Sequence, residues 1–177
     1  MDVYTKLEDS LWGATTAFME AHGLSTKVII SGETGLEPKG DYVSIQVLSL
    51  SPVGSAWKST NLNNRNGVGI SEIHDFYEIL VGFRFSGNSV GDSAVKLDTM
   101  IKNSEQTRWL YQMEGLSALN KMSLKKVDVL KEDKWQRSFS LDVRFTYFLT
   151  TEEEVNWIER VDLLNLVNNR RTSVELN

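Results

Sequence analysis

The chain has 177 residues and a mass of 20.1 kDa, with 19 Lys and Arg against 24 Asp and Glu, a formal charge of −5 and a pI of about 5.1. At this length one core buries about 70% of the unfolded surface, so a single domain over residues 1–177 needs no metal or disulfide staple. The absence of Cys removes disulfides, thiolate nucleophiles, Cys-bound zinc and iron–sulfur clusters together, and the acidic balance argues against a surface that wraps nucleic acid.

Met1-Asp2-Val3-Tyr4 has neither a basic n-region nor an apolar h-region, so no secretory signal is expected. No apolar run approaches the roughly 18 residues that a membrane span needs. The expectation is a soluble protein assembled inside a cell. Residues 4–21 predict an amphipathic helix, because Leu7, Leu11, Thr15, Phe18 and Met19 fall at spacings of three and four, and His22-Gly23 follows as its stop. Residues 27–30 read as a short strand and 31–40, with three Gly and Pro38, as a loop. Over 41–50, Val43, Ile45 and Val47 alternate with Ser44 and Gln46, the pattern of a half-buried strand. Residues 51–71 read as a long polar loop, with Pro52, Gly54, Trp57 and the run Asn61-Leu62-Asn63-Asn64-Arg65-Asn66-Gly67. Lys58 and Arg65 make it basic, since no acidic residue falls between Asp41 and Glu72. A loop of roughly 20 residues in a compact domain usually carries function.

A long strand is predicted over 75–85, with Tyr77, Ile79, Val81, Phe83 and Phe85 on one face and Glu78, Gly82 and Arg84 on the other. Residues 89–103 read as a helix with Val90, Ala94, Leu97 and Ile101 as its stripe and Ser89 or Asp92 as its cap. A short second helix over 104–113 stops at Gly115. Residues 125–130 alternate weakly. Residues 135–149 alternate strongly, with Phe139, Leu141, Val143, Phe145, Tyr147 and Leu149 inward and Ser138, Ser140, Asp142, Arg144 and Thr146 outward. Lys131-Glu132-Asp133-Lys134 between them is a hairpin turn. Trp12 and Trp109 are assigned to the core. The tail, 152–177, fits a helix through Val155, Ile158 and Val161 or an irregular strand. The fold expected is α+β: a mainly antiparallel sheet of four to five strands, two helices on one face, one long loop and an extended C-terminal tail.

No reaction is written in these residues. His22 and His74 lack metal-binding spacing and read as a capping and a surface histidine. Gly67-Val68-Gly69 lacks the strand-before, helix-after context of a phosphate loop. Glu152-Glu153-Glu154 reads as a solvated run, since catalytic carboxylates converge from separate elements. There is no G-x-S-x-G elbow, and Lys125-Lys126 and Arg170-Arg171 stand isolated on an acidic chain. No catalytic residue, cofactor or metal is expected. The apolar residues Trp157, Ile158, Leu163, Leu164, Leu166 and Val167 exceed what a free tail needs and point to docking. Trp57 and Trp157 sit where no core requires them, and rings in such places are typical interface anchors.

After an amino-terminal helix come, in order, Asp41-Tyr42-Val43-Ser44-Ile45-Gln46-Val47, the strand from Tyr77 to Phe85, the helix from Asp92 to Ile101, the strand from Arg137 to Tyr147, and Asn156-Trp157-Ile158-Glu159-Arg160-Val161. This order resembles the tail-terminator or neck (head–tail joining) proteins of tailed bacteriophages, over about residues 4–162. The resemblance lies in alternation and order, without a catalytic signature. It implies a structural virion protein and no enzyme: a ring, commonly a hexamer, on the head-proximal end of the tail tube. Such a ring stops tube polymerisation and meets the head-side connector or adaptor, with the sheath as a further contact in contractile tails. DNA passes through the lumen unread, which suits an acidic chain, and no membrane is involved. The place implied is the virion neck, after assembly in the host cytoplasm. Trp57, Lys58, Asn61, Asn64 and Arg65 would then be ring or tube contacts. Trp157, Ile158, Leu163 and Leu166 would meet a neighbouring subunit or the connector. The competing reading is a small-ligand-binding or enzymatic domain on a cone-shaped α+β scaffold, motivated by the aromatic strand face. That face offers only Tyr77 and Tyr147 as polar groups, fewer than a pocket needs.

Overall fold

The computed structural model describes residues 3–32, 38–61, 68–131, 134–156, 160–165 and 170–175. Helix α1 (Val3–Ala21) forms as its spacing requires, with Leu7, Leu11, Ala14, Thr15, Phe18 and Met19 buried as one stripe. Strands β1 (Lys27–Ile30), β2 (Tyr42–Pro52), β3 (Trp57–Asn61) and β4 (Val68–Ser86) follow, then helices α2 (Val90–Asn103) and α3 (Glu105–Met113). The chain continues through β5 (Leu116–Lys121), β6 (Lys125–Lys126), β7 (Val129–Lys131), β8 (Lys134–Gln136), β9 (Ser138–Asn156), β10 (Arg160–Asn165) and β11 (Arg170–Glu175). The fold is α+β, as expected. Its main sheet runs β1-β2-β4-β9-β5, with β3 also on β4 and β6 also on β9. β1 lies parallel to β2, while β2 and β3 on β4, and β5 and β6 on β9, are antiparallel.

The chain divides into two compact units, Met1–Gly54 with Phe76–Phe148, and Ser55–Asp75 with Leu149–Asn177. The first holds the three helices and the aromatic core. Ile79, Val81, Phe83 and Phe85 of β4 and Leu141, Val143, Phe145 and Tyr147 of β9 are buried. The Phe145 ring stacks on Tyr111 of α3 at 5.4 Å and lies 6.5 Å from Phe83. Tyr111 shares a buried hydrogen bond of 3.2 Å with Thr15 of α1. Burial pushes the Tyr111 phenol well above its ordinary 10.0, and the Thr15 hydrogen bond only partly opposes this. The unfolded chain therefore gives up this proton at a lower pH than the folded one. The stabilisation is complete below about pH 10 and falls as pH rises above it. Stability measured in urea from about pH 9 to 11 is expected to decline, and less so in Tyr111→Phe; equal slopes would place the loss elsewhere.

The structure departs from the expected elements in several places. Within the loop expected over 51–71, residues 51–52 end β2, and 57–61 and 68–71 are strand: β3 pairs β4 from Trp57↔His74 to Asn61↔Ile70, while 62–67 lie outside the described residues. The polar composition masks the pairing, in which Lys58 stands opposite Ile73, Ser59 opposite Glu72 and Thr60 opposite Ser71, although Trp57, Thr60, Ile70 and Ile73 are residue types that suit a pleated surface. The predicted strand over 125–130 is only the two short strands β6 and β7, the latter paired with β8 in a separate two-stranded sheet. The neighbour of β9 along its far edge is instead β5, whose register shifts between Ala118 and Asn120 and so shows no clean alternation. Helix α3 forms as the short second helix expected over 104–113, with Ser104 Oγ accepting from Thr107 N–H at 3.3 Å. Of the two alternatives for the tail, the described residues form strands: β9 runs on to Asn156, and β10 pairs β11 from Arg160↔Glu175 to Asn165↔Arg170. Ser138 and Ser140, read as outward, are buried, and Ser138 Oγ donates to Phe85 O at 2.8 Å.

The α2 cap also differs. Ser89 makes no side-chain cap; its N–H donates to both oxygens of the Asp41 carboxylate at 3.2 Å. An anion at a helix amino end is favourable, and here it ties β2 to α2.

Candidate functional site

The second unit carries the sequence-predicted contact residues that the structure describes. In an antiparallel pair, directly opposite residues share a face, so the pairing Trp57↔His74 sets indole against imidazole. The rings stack at 4.5 Å with 25° between planes. His74 is buried, against the surface position expected, because its second edge is also engaged. Its Nδ1 lies 3.1 Å from Thr150 Oγ1, and its Nε2 lies 3.5 Å from Ser59 Oγ and 3.4 Å from Glu72 Oε2. The histidine thus fixes one face of Trp57 while 60% of that residue stays in solvent. A large ring that needs little further ordering is what an interface anchor requires.

Lys58 donates to Glu153 Oε2 at 3.4 Å, both side chains being more than half exposed, so the pair is weak and open to exchange. Asn61 closes the pairing opposite Ile70. The structure therefore brings Trp57, Lys58 and Asn61 onto one strand. Leu163 holds a register position on β10 opposite Thr172. Asn64, Arg65, Trp157, Ile158 and Leu166 lie outside the described residues. Sequence reasoning missed His74, Thr150 and Glu153, because only the β3–β4 and β4–β9 pairings bring them to Trp57.

Trp12 is 47% exposed, Trp109 57% and Trp135 74%, against the core positions expected for the first two. Trp12 instead lays its indole N–H on Val28 O at 3.2 Å, and Trp109 shares the outer stripe of α3 with the exposed Met113. Of the five tryptophans, the four that are described all keep much of their surface in water. The core is built from Phe, Leu, Ile, Val and Tyr.

His22 ends α1 as expected, edge-on to Phe18 at 4.6 Å. Burial, and then the nearby Lys96 ammonium, hold its imidazole below the ordinary 6.5. No three His, Asp or Glu among the described residues gather as metal ligands, and no described helix is long and apolar enough to cross a membrane. An open concavity of about 530 Å³ on α2 is lined by Gly91, Asp92, Val95, Lys96, Thr99 and Met100, all from that helix. Ligand pockets enclose most of their guest, which one helix surface cannot do.

No curated protein matches the chain. Residues 4–170 match the family model described as phage neck terminator protein. The match takes in both long strands, all three helices and the β3–β4 hairpin that presents Trp57. The chain belongs to the phage neck terminator protein family, and its role is that of a structural component of the virion neck.

Proposed function

We propose that copies of this chain close into a ring, a hexamer, on the head-proximal end of the phage tail tube. There the ring stops tube polymerisation and joins the tail to the head-side connector, with the sheath as a further neighbour in a contractile tail. In this reading residues 1–177 act as one domain without catalysis, assembled in the host cytoplasm, and DNA passes through the lumen unread. The observation that carries it is the family match over residues 4–170. The exposed indoles support it, because a closed ring is made of heterologous contacts and buried aromatic anchors supply most of the energy of such contacts. Trp57, Lys58 and Asn61, with Asn64 and Arg65, are assigned to ring or tube contact. Trp157, Ile158, Leu163 and Leu166 are assigned to a neighbouring subunit or the connector.

Native mass spectrometry is expected to give six copies, or a monomer that becomes a ring when tail tubes are added. A stable dimer holding a small molecule overturns the reading. Trp57→Ala is expected to keep the fold and to weaken assembly by about tenfold or more, the usual loss at an aromatic anchor. Undiminished assembly in that variant removes Trp57 from the contact.

A further inference from the structure

A second side-chain cluster, on the first unit, has no role in the reading above. Asn88 before α2, Lys126 on β6, Asp128 beyond it, Trp135 on β8 and Arg137 before β9 line a polar concavity of about 400 Å³. Its backbone is tied down from several directions. Gly87 N–H donates to Arg137 O at 3.3 Å, Val127 N–H donates to Ser138 O at 2.8 Å, and the buried Ser138 hydroxyl reaches Phe85 O. Walls fixed in advance reduce the ordering that a ligand must impose. Lys126 is matched by Asp128 at 3.0 Å. The exposed Arg137 has no ion pair among the described residues. A guanidinium takes a carboxylate through two parallel hydrogen bonds, and the exposed Trp135 indole supplies a flat apolar wall beside it. The chemistry is that of a site for a carboxylate-rich chain segment.

The sequence holds one segment that matches it. Glu152-Glu153-Glu154 is the only place where three carboxylates adjoin. Glu152 and Glu153 are exposed; Glu152 has no ion pair among the described residues, and Glu153 has only its exposed contact with Lys58. In sequence, Arg137 stands just before β9 and the glutamates stand near its end. Cup and glutamates are different patches of one chain, so their meeting between copies is the heterologous kind of contact that closes rings. We propose that the Arg137 cup receives the Glu152–Glu154 carboxylates of a second copy of this chain, an inference that rests on the ring reading.

Charge exchange in the full chain tests it. Lys126→Glu with Arg137→Glu is expected to move the ring-to-monomer midpoint to about tenfold higher concentration or beyond, and Glu152→Lys with Glu153→Lys to do the same. Circular dichroism checks that each variant is folded. The four substitutions together are expected to restore the ring, because both partners have changed sign. A ring unaffected by either pair, or no recovery in the combination, overturns the inference and leaves the ring reading standing. If the wild-type chain makes no ring, the ring reading fails and a labelled peptide of residues 149–156 decides the cup alone. Saturable binding that is lost on Arg137→Glu upholds it, and absence of binding overturns it. A labelled DNA duplex held more tightly than the peptide also overturns it, in favour of phosphate.

Discussion

Phe145→Ala is expected to lower the stability of the fold by about 3–5 kcal/mol, the range for deleting a buried aromatic ring. Phe145 has no exposed surface and stands where β9 meets the helical layer. Its ring lies against Tyr111 at 5.4 Å and near Phe83 at 6.5 Å, so the truncation leaves a void walled by two rings on different elements. Such walls cannot collapse together without moving α3 off the sheet, and a site that cannot collapse pays the full cavity term. In a chain of this size the loss corresponds to a fall on the order of 10 °C in the unfolding midpoint. Urea unfolding measures it directly, and a loss below about 1 kcal/mol would mean that the site repacks. Phe148→Ala is the matched control. Phe148 is 40% exposed and meets Phe76 at 5.0 Å, so its removal is expected to matter far less.

Gly87→Ala is expected to destabilise by roughly 3 kcal/mol, for two reasons that add. Gly87 has a φ of 141°, a conformation in which a side chain is strained by about 1–3 kcal/mol. A Cβ there would also lie 2.8 Å from the Asp41 Cα and press on the Asp41 carboxylate. That carboxylate accepts the Ser89 N–H at the start of α2, and losing such a cap costs about 0.5–2 kcal/mol. Gly54→Ala separates the two effects: its φ is 76°, with open space around the added carbon. It is expected to cost only the conformational strain, about 1–2 kcal/mol. Equal losses in the two variants would show that contact with Asp41 contributes nothing.

How far the fold could be read in advance follows the range of the interactions. Helix α1 and the alternating stretch of β9 declare themselves within one short window, because the period of their apolar residues is a local property. The hairpin of β3 on β4 does not, since Trp57 finds its partner at His74 across the turn and its polar neighbours resemble a loop. The same holds for β10 and β11, whose pairing of Arg160 with Glu175 no single window contains. At the candidate site, Trp57 and Lys58 stood out as ring and charge in a place no core required. His74 did not, because a lone histidine at a strand start carries no sign of what will stack on it. Trp12 and Trp109 misled for the opposite reason. Helical position suggested burial, but the stripes of α1 and α3 that face the core pass through Leu11 and Thr15, and through Thr107 and Tyr111.

The emission of an indole depends on the water around it. Trp12, Trp57, Trp109 and Trp135 already meet solvent in the folded chain, so unfolding changes their surroundings little, whereas a docked neighbour would change them a great deal. Among the described residues the indole signal lies on the outer surface, and the rings kept inside are those of phenylalanine and the weaker emitter tyrosine.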